Sequence, residues 1–391
     1  MDPTATAIGT WSAGRFMRFG EEIAPERMRA LLRPSDGLRT VMTADAYGQG
    51  EADRALGEAL RGIERDSYCL VGAVGHDFYE GRRDGAKGFP RFTDPRLRGP
   101  ADYAQYLKGA TEQSLARCGS ERFDLLLLHN PDRTGYQSEA VWEGMAALRD
   151  AGLTRMLGIA PGPANGFTLD LISCLERFGE LIDWAMIIYG PFEPWPGELV
   201  LAAARRNDVR LITRVVDYGG VFHDDVLAEE QFPEHDHRRF RPHGWVAAAR
   251  EKLDRVRPYA EAHRLTPLQL ACAWNLAQDP VACVAPTLIQ ERGPAARPIE
   301  DKRAELAAVK MPSPLGDDEV QAIRAIGDNA GSMPLKGASL EHHGAAQPDR
   351  WELGEMAAVA ERWGIEPQRD LAKRELTAAS AATARAAGAL S

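Results

Sequence analysis

Phe123-Asp124-Leu125-Leu126-Leu127-Leu128-His129 is the stretch whose reading decides the fold. Four consecutive leucines leave no polar face. A strand with one face in water alternates apolar and polar residues; a strand buried on both faces does not. Strands of the second kind belong to parallel sheets covered by helices on their outer side. Working outward, short runs of the same character recur at 7–10, 38–44, 68–74, 154–160, 184–189, 209–216 and 281–286, which makes eight candidate strands with 123–129. Helical patterns lie between them, for example at 51–61, 104–118, 139–151, 167–178, 198–207 and 244–263. Eight β/α alternations predict an α/β protein closed into a (β/α)8 barrel rather than an open sheet. The barrel is expected over 1–330. A C-terminal extension covers 331–391, with an irregular stretch at 327–344, a helix at 351–363 and an Ala-rich, frayed end from about 377.

The totals are those of an ordinary globular chain. Hydrophobic residues make up 44% and charged residues 27% of 391 residues, so a sizeable core is expected. The net charge of -10 argues against nucleic acid and anionic membrane as partners and leaves a small-molecule substrate. Five scattered cysteines without a CxxC pair predict neither a disulfide framework nor a structural zinc site. No secretory pattern opens the sequence and no run of about 18 apolar residues occurs, so a cytoplasmic location is expected. Nothing here fixes an oligomeric state.

Two connections are long, 75–100 and 217–242. Each follows a predicted strand, which places both on the C-terminal face, where barrels build their active sites. The second is crowded with metal-ligand types, among them His223, Asp224, Asp225, His235, Asp236 and His237, with His243 just beyond it. Adjacency does not supply converging ligands, so a charged, solvated lid is expected and no metal site.

The stretch Met42-Thr43-Ala44-Asp45-Ala46-Tyr47-Gly48 resembles D-T-A-x-x-Y-G, a signature of the aldo/keto reductase superfamily. The run LLLLHNPD at 125–132 resembles the strand of that family ending in H-x-P-D. GEADRALGEAL at 50–60 and EGMAALRDAGLTRMLGIA at 143–160 are similar to two further segments, in the same order. The resemblance implies a tetrad: a Tyr that protonates a carbonyl, a Lys that lowers the phenol's pKa, an Asp that positions the Lys, and a His that binds the carbonyl oxygen, with hydride from NADPH. Tyr47 and His129 fall on two of these positions. Met42 occupies the Asp position and Ala73 the best match to the Lys position; the nearest lysine is Lys87. The nicotinamide donors implied after strands five and six are absent from Gly158-Ile159-Ala160-Pro161 and from 184–189.

This selective loss leads to a first expectation. The enzyme retains Tyr47 and His129 for acid–base work on a polar, hydroxylated carbonyl compound. It acts without a required cofactor, by elimination, isomerisation or bond cleavage. The alternative is an NADP(H)-dependent oxidoreductase, and a third reading is a non-catalytic metabolite or cofactor binder. Asp45, two residues from Tyr47, is either a catalytic carboxylate or a turn cap. His76, where the Lys is missing, either replaces it or is a loop residue. Trp11, Arg214, Asp217 and His223 are candidate substrate contacts. If NADP(H) binds, Tyr189 is the candidate ring for stacking, and Arg297, Lys302 and Arg303 are candidates for holding a phosphate.

Overall fold

The computed structural model describes residues 1–83, 88–162, 167–329 and 354–371. Eight strands follow in chain order: β1 Ala7–Gly9, β2 Thr40–Met42, β3 Cys69–Val74, β4 Phe123–His129, β5 Thr154–Ala160, β6 Trp184–Ile188, β7 Arg210–Arg214 and β8 Val281–Ala285. Each pairs in parallel with the next. Thr6 bridges Val284 in parallel, and Val284 N–H donates to the Ala5 carbonyl at 2.9 Å, which joins the last strand to the first. The result is the expected (β/α)8 barrel.

The leucine run shows how the layers are built. Leu125 and Leu127 point inward, where Met42, Val71, Ala73, Met156, Trp184, Met186, Ile212, Cys283 and Ala285 fill the barrel. Leu126 and Leu128 point outward into the shell between sheet and helices. All four are buried, and a fully buried leucine contributes about 1.5–3 kcal/mol, so both faces of β4 drive folding. The outer ring holds α1 Pro25–Leu32, α2 Glu51–Leu60, α3 Tyr103–Cys118, α4 Arg133–Gln137, α5 Glu139–Asp150, α6 Thr168–Phe178, α7 Leu201–Arg206, α8 Trp245–Ala262, α9 Pro267–Leu276 and α10 Ile299–Ala307. α11 Asp317–Ile326 follows, and α12 Met356–Arg362 lies within the helix expected at 351–363. Arg362 pairs with Glu176 of α6 at 2.6 Å, and the Trp363 indole donates to the same carboxylate at 2.9 Å. Lys87, most of the irregular stretch and the Ala-rich end lie outside the described residues.

Strands β4 and β7 stop abruptly, each for the same reason. Asn130 (φ 46°) follows β4, and Val215 (φ 62°) follows β7. Left-handed backbone cannot continue a strand, so His129 and Arg214 become the last residues of their strands.

The two long connections are ordered where described. The first folds back on itself: His76 bridges Arg91, Asp77 N–H donates to Pro90 O at 2.8 Å, and Phe92 N–H donates to Gly75 O at 3.0 Å. The second corrects the expectation of a solvated lid. Asp217, His223, Asp225, Asp236 and Arg238 are all buried. Arg238 binds Asp236 at 2.8 Å and Glu291 at 2.5 Å, so opposite charges compensate each other's desolvation. Among the described residues, no three His, Cys, Asp or Glu side chains converge as metal ligands.

Candidate active site

The site begins behind β2. Asp53, buried on α2, accepts hydrogen bonds from Thr43 Oγ1 at 2.9 Å, Ser114 Oγ at 2.9 Å and Arg117 Nε at 3.0 Å. This carboxylate fixes the segment leaving β2. Gly48 and Gln49 then take left-handed backbone angles, φ 57° and 54°, which turn the chain sharply after Tyr47. The Tyr47 ring packs against the inner layer of the barrel. It meets the His129 ring edge-on, with centroids 5.6 Å apart and planes at 87°. His76 meets His129 from another side at 5.2 Å. Trp11 also packs on the inner layer, its ring over Gly9, where a Cβ would lie 2.1 Å from it.

Burial and neighbouring cations set the protonation states. Burial holds the His129 imidazole well below its ordinary value, and His76, Arg91 and Arg214 push the same way. His129 is therefore neutral near pH 7, suited to hydrogen bonding a carbonyl oxygen rather than carrying a proton. Its Nδ1 has no partner among the described residues. Burial raises the Tyr47 phenol, and Arg214 partly opposes that. Burial and Arg91 lower His76 to about 3. Its Nδ1 faces Phe89 O at 3.1 Å and Arg91 Nη1 at 3.3 Å, and its Nε2 faces Asn130 Nδ2 at 3.1 Å. Both ring nitrogens are thus engaged, so His76 supports the site and is not placed to exchange protons with a substrate.

The resemblance implies a Lys–Asp pair; here the corresponding residues, Met42 and Ala73, are buried in the inner layer. The cations near the tyrosine and histidine come from elsewhere. Arg214, at the tip of β7, donates through Nη2 to Pro161 O at 3.0 Å and Gly162 O at 2.7 Å, just past β5. Arg91 reaches the Asn130 carbonyl and His76 from the folded-back loop. Arg91 is absent from the residues singled out in the sequence. Its only signal there is being one of several arginines in a long loop on the active face.

Other candidates sit away from this group. Asp45 is fully buried, no side chain among the described residues binds either of its oxygens, and burial with Asp53 nearby raises its pKa well above the usual carboxylate range. It is packed behind the site and is not exposed to act as a free carboxylate. Asp217 accepts from Thr287 N at 2.8 Å and Gly220 N at 2.9 Å, and His223 Nε2 lies 2.9 Å from Thr287 O. Both bind the loops after β7 and β8 together. Tyr189 packs on Trp274 of α9 and donates to Gln278 Oε1 at 2.6 Å, which turns it outward from the barrel and away from any ring bound in its mouth.

The three basic residues do not form a phosphate cradle. Arg297 is held by Glu305 and the His223 carbonyl. Lys302 is fully buried, paired with Asp225 at 2.6 Å and donating to Ile289 O at 2.7 Å. Arg303 binds the Leu31 and Arg33 carbonyls at the end of α1. These residues do not fit a dinucleotide phosphate in the arrangement seen, and the backbone donors at Thr287 and Gly220 already serve Asp217.

The model of the aldo/keto reductase family matches residues 6–327. An aldo-keto reductase of Schizosaccharomyces pombe named for NADP(+) is 24% identical over 84% of this chain and 90% of its own length. A glycerol dehydrogenase structure from Gluconobacter oxydans superposes with TM-score 0.63 at 20% identity, covering 83% of this chain and 92% of that one. An aldo/keto reductase from Klebsiella pneumoniae, solved in complex with NADP and acetate, superposes with TM-score 0.54 at 20% identity, over 84% and 94% of the two chains. These findings overturn the expectation that no cofactor is required: such proteins are named for NADP or hold it. They give no support to elimination, isomerisation or cleavage, because the relatives are named as reductases and dehydrogenases.

Proposed function

Since the chain belongs to the aldo/keto reductase family, we propose that it is an NADP(H)-dependent oxidoreductase acting on a polar, hydroxyl-bearing carbonyl compound or the matching alcohol. The observation that carries this reading is the edge-on pair of Tyr47 and His129 at adjoining positions of the barrel mouth, 5.6 Å apart. The named activities of the relatives supply the reaction type, and a glycerol dehydrogenase among them supports a hydroxylated substrate.

A reduced nicotinamide would supply a hydride equivalent, held by groups other than Tyr189, Arg297, Lys302 and Arg303, which are engaged elsewhere. The protein's part is the oxygen. Neutral His129 donates a hydrogen bond to the carbonyl oxygen, which fixes it and favours negative charge there. Tyr47 then gives its phenolic proton to that oxygen, which leaves an alcohol and a phenolate. In this chain the positive charge that stabilises the phenolate is the Arg214 guanidinium, in place of an ammonium. In the oxidative direction the same proton returns from alcohol to Tyr47.

The test is a panel of polyols and short aldoses with NADP(+) or NADPH, read by nicotinamide absorbance. Coupled turnover that requires the nucleotide is expected. Consumption of a substrate at the same rate with and without nucleotide would overturn the reading.

A further inference from the structure

We propose that Arg214 binds a carboxylate of the substrate, so that the preferred carbonyl compound is an anion. This rests on the oxidoreductase reading for the reaction but not for the binding. The guanidinium starts at the tip of β7 and reaches past β6 to the end of β5, where Pro161 and Gly162 accept from Nη2 at 3.0 and 2.7 Å. On β5, Ala160 is in register with His129. The cation is therefore held beside the groups that bind and protonate the reacting oxygen.

Two carbonyls orient this cation but do not neutralise it. Among the described residues, no carboxylate makes an ion pair with Arg214; the acid in its field, Glu193, lies 3.9 Å from Arg241. The cations whose side chains are buried in this fold face a carboxylate: Arg238 has Asp236 and Glu291, Lys302 has Asp225, and Arg98 has Asp77 at 2.5 Å. Arg214, only partly buried, has no such counter-charge among the described residues, and the planar fork of a guanidinium matches a carboxylate through two parallel hydrogen bonds. Arg91, beside His76, adds a second positive charge to the same side of the mouth.

A cofactor phosphate is the other anion that fits such chemistry. It is disfavoured by direction. The loops after β7 and β8, where barrels commonly hold phosphate, offer backbone donors that Asp217 already occupies at 2.8 and 2.9 Å. Arg214 reaches the opposite way, toward β5.

The experiment uses the intact protein and two readouts. Calorimetry with oxamate, D-gluconate and inorganic pyrophosphate measures binding without turnover. Kinetics with NADPH compare glyoxylate against glycolaldehyde and D-glucuronate against D-glucose. Oxamate or D-gluconate should bind wild type, and Arg214→Gln should weaken that binding by about tenfold or more, with Arg214→Lys intermediate. The anionic member of at least one pair should have the higher kcat/KM, and Arg214→Gln should remove that preference. Binding of neither carboxylate, or equal binding by folded Arg214→Gln, overturns the proposal. So does a loss confined to pyrophosphate, which would assign the guanidinium to the cofactor. Carboxylate binding through Arg214 without nucleotide-dependent turnover would leave this site standing and sink the oxidoreductase reading. Neutral substrates turned over with no carboxylate binding would do the reverse.

Discussion

Tyr47 and His129 hold their protons differently, and kinetics can separate the two. Tyr47→Phe removes only a hydroxyl and should lower kcat by about 10- to 1000-fold, the span between losing a hydrogen bond and losing a proton donor. Melting curves should show that variant folded. His129, kept neutral by burial and by His76, Arg91 and Arg214, should contribute no ionisation near its ordinary value. The kcat–pH profile should therefore lack an acid limb centred near pH 6.5. A limb there that vanishes in His129→Gln would show that the imidazole titrates after all. Both residues were legible in the sequence because each belongs to a recognisable run: His129 ends β4, and Tyr47 lies in the stretch 42–48 that leaves β2. Asp45 and Tyr189 were misplaced because the alternation of inward and outward side chains stops where a strand stops. Beyond that point, sequence spacing no longer says which way a side chain faces. Arg91 needed the backbone pairing of 75–77 with 90–92, which sequence periodicity does not encode.

Among elements, the strands were legible from composition, though their ends were not. The run at 209–216 is broken by Val215, a β-branched residue in the left-handed region that no propensity argument would choose. Helix α9 carries apolar residues nearly all round, with Leu268, Leu270, Ala271, Cys272, Ala273 and Trp274 buried, so no amphipathic stripe announces it. The contact of α2 with α3 is another feature hidden from pattern. A Cβ on Gly57 would lie 2.7 Å from the Arg117 carbonyl and 2.9 Å from the Cys118 backbone. Intrinsic helix propensity favours alanine over glycine by about 1 kcal/mol. Packing should win: Gly57→Ala is expected to destabilise the protein by about 1–3 kcal/mol, since backbone cannot yield as a flexible side chain does. Denaturant unfolding measures this, and a variant more stable than wild type would show that the two helices can separate at little cost.

Across the whole molecule, buried ionisable groups make stability depend on pH, with opposite signs for acids and histidines. His223 is fully buried and held neutral by desolvation, with Lys302 the next cause. The unfolded chain binds a proton there below about pH 6.5 and the folded chain does not, so this histidine's contribution is present at neutral pH and lost as pH falls. Asp45 and Asp217, raised by burial, act the other way: they favour the fold at low pH and lose that contribution as pH rises. The two trends overlap in wild type, so the clean measurement is a difference. Between pH 6 and 5, the stability of His223→Gln should change less steeply than that of wild type, by up to about 1.4 kcal/mol per pH unit. Parallel curves would mean that the imidazole is protonated in the fold.

The seam between Thr6 and Val284 ties the order of synthesis to the order of burial. β1 leaves the ribosome early, but its partner β8 follows more than two hundred residues later. At about 5–20 residues per second, that interval is on the order of tens of seconds. During it, any sheet that the inner layer around Met42, Val71, Leu125 and Met156 has formed would be open, with two unpaired edges, because β8 is not yet present to close it. Such edges template pairing with other chains. The nascent protein is therefore expected to expose aggregation-prone edges during that interval, and its yield in a cell should follow translation speed and chaperone supply more closely than the stability of the finished fold.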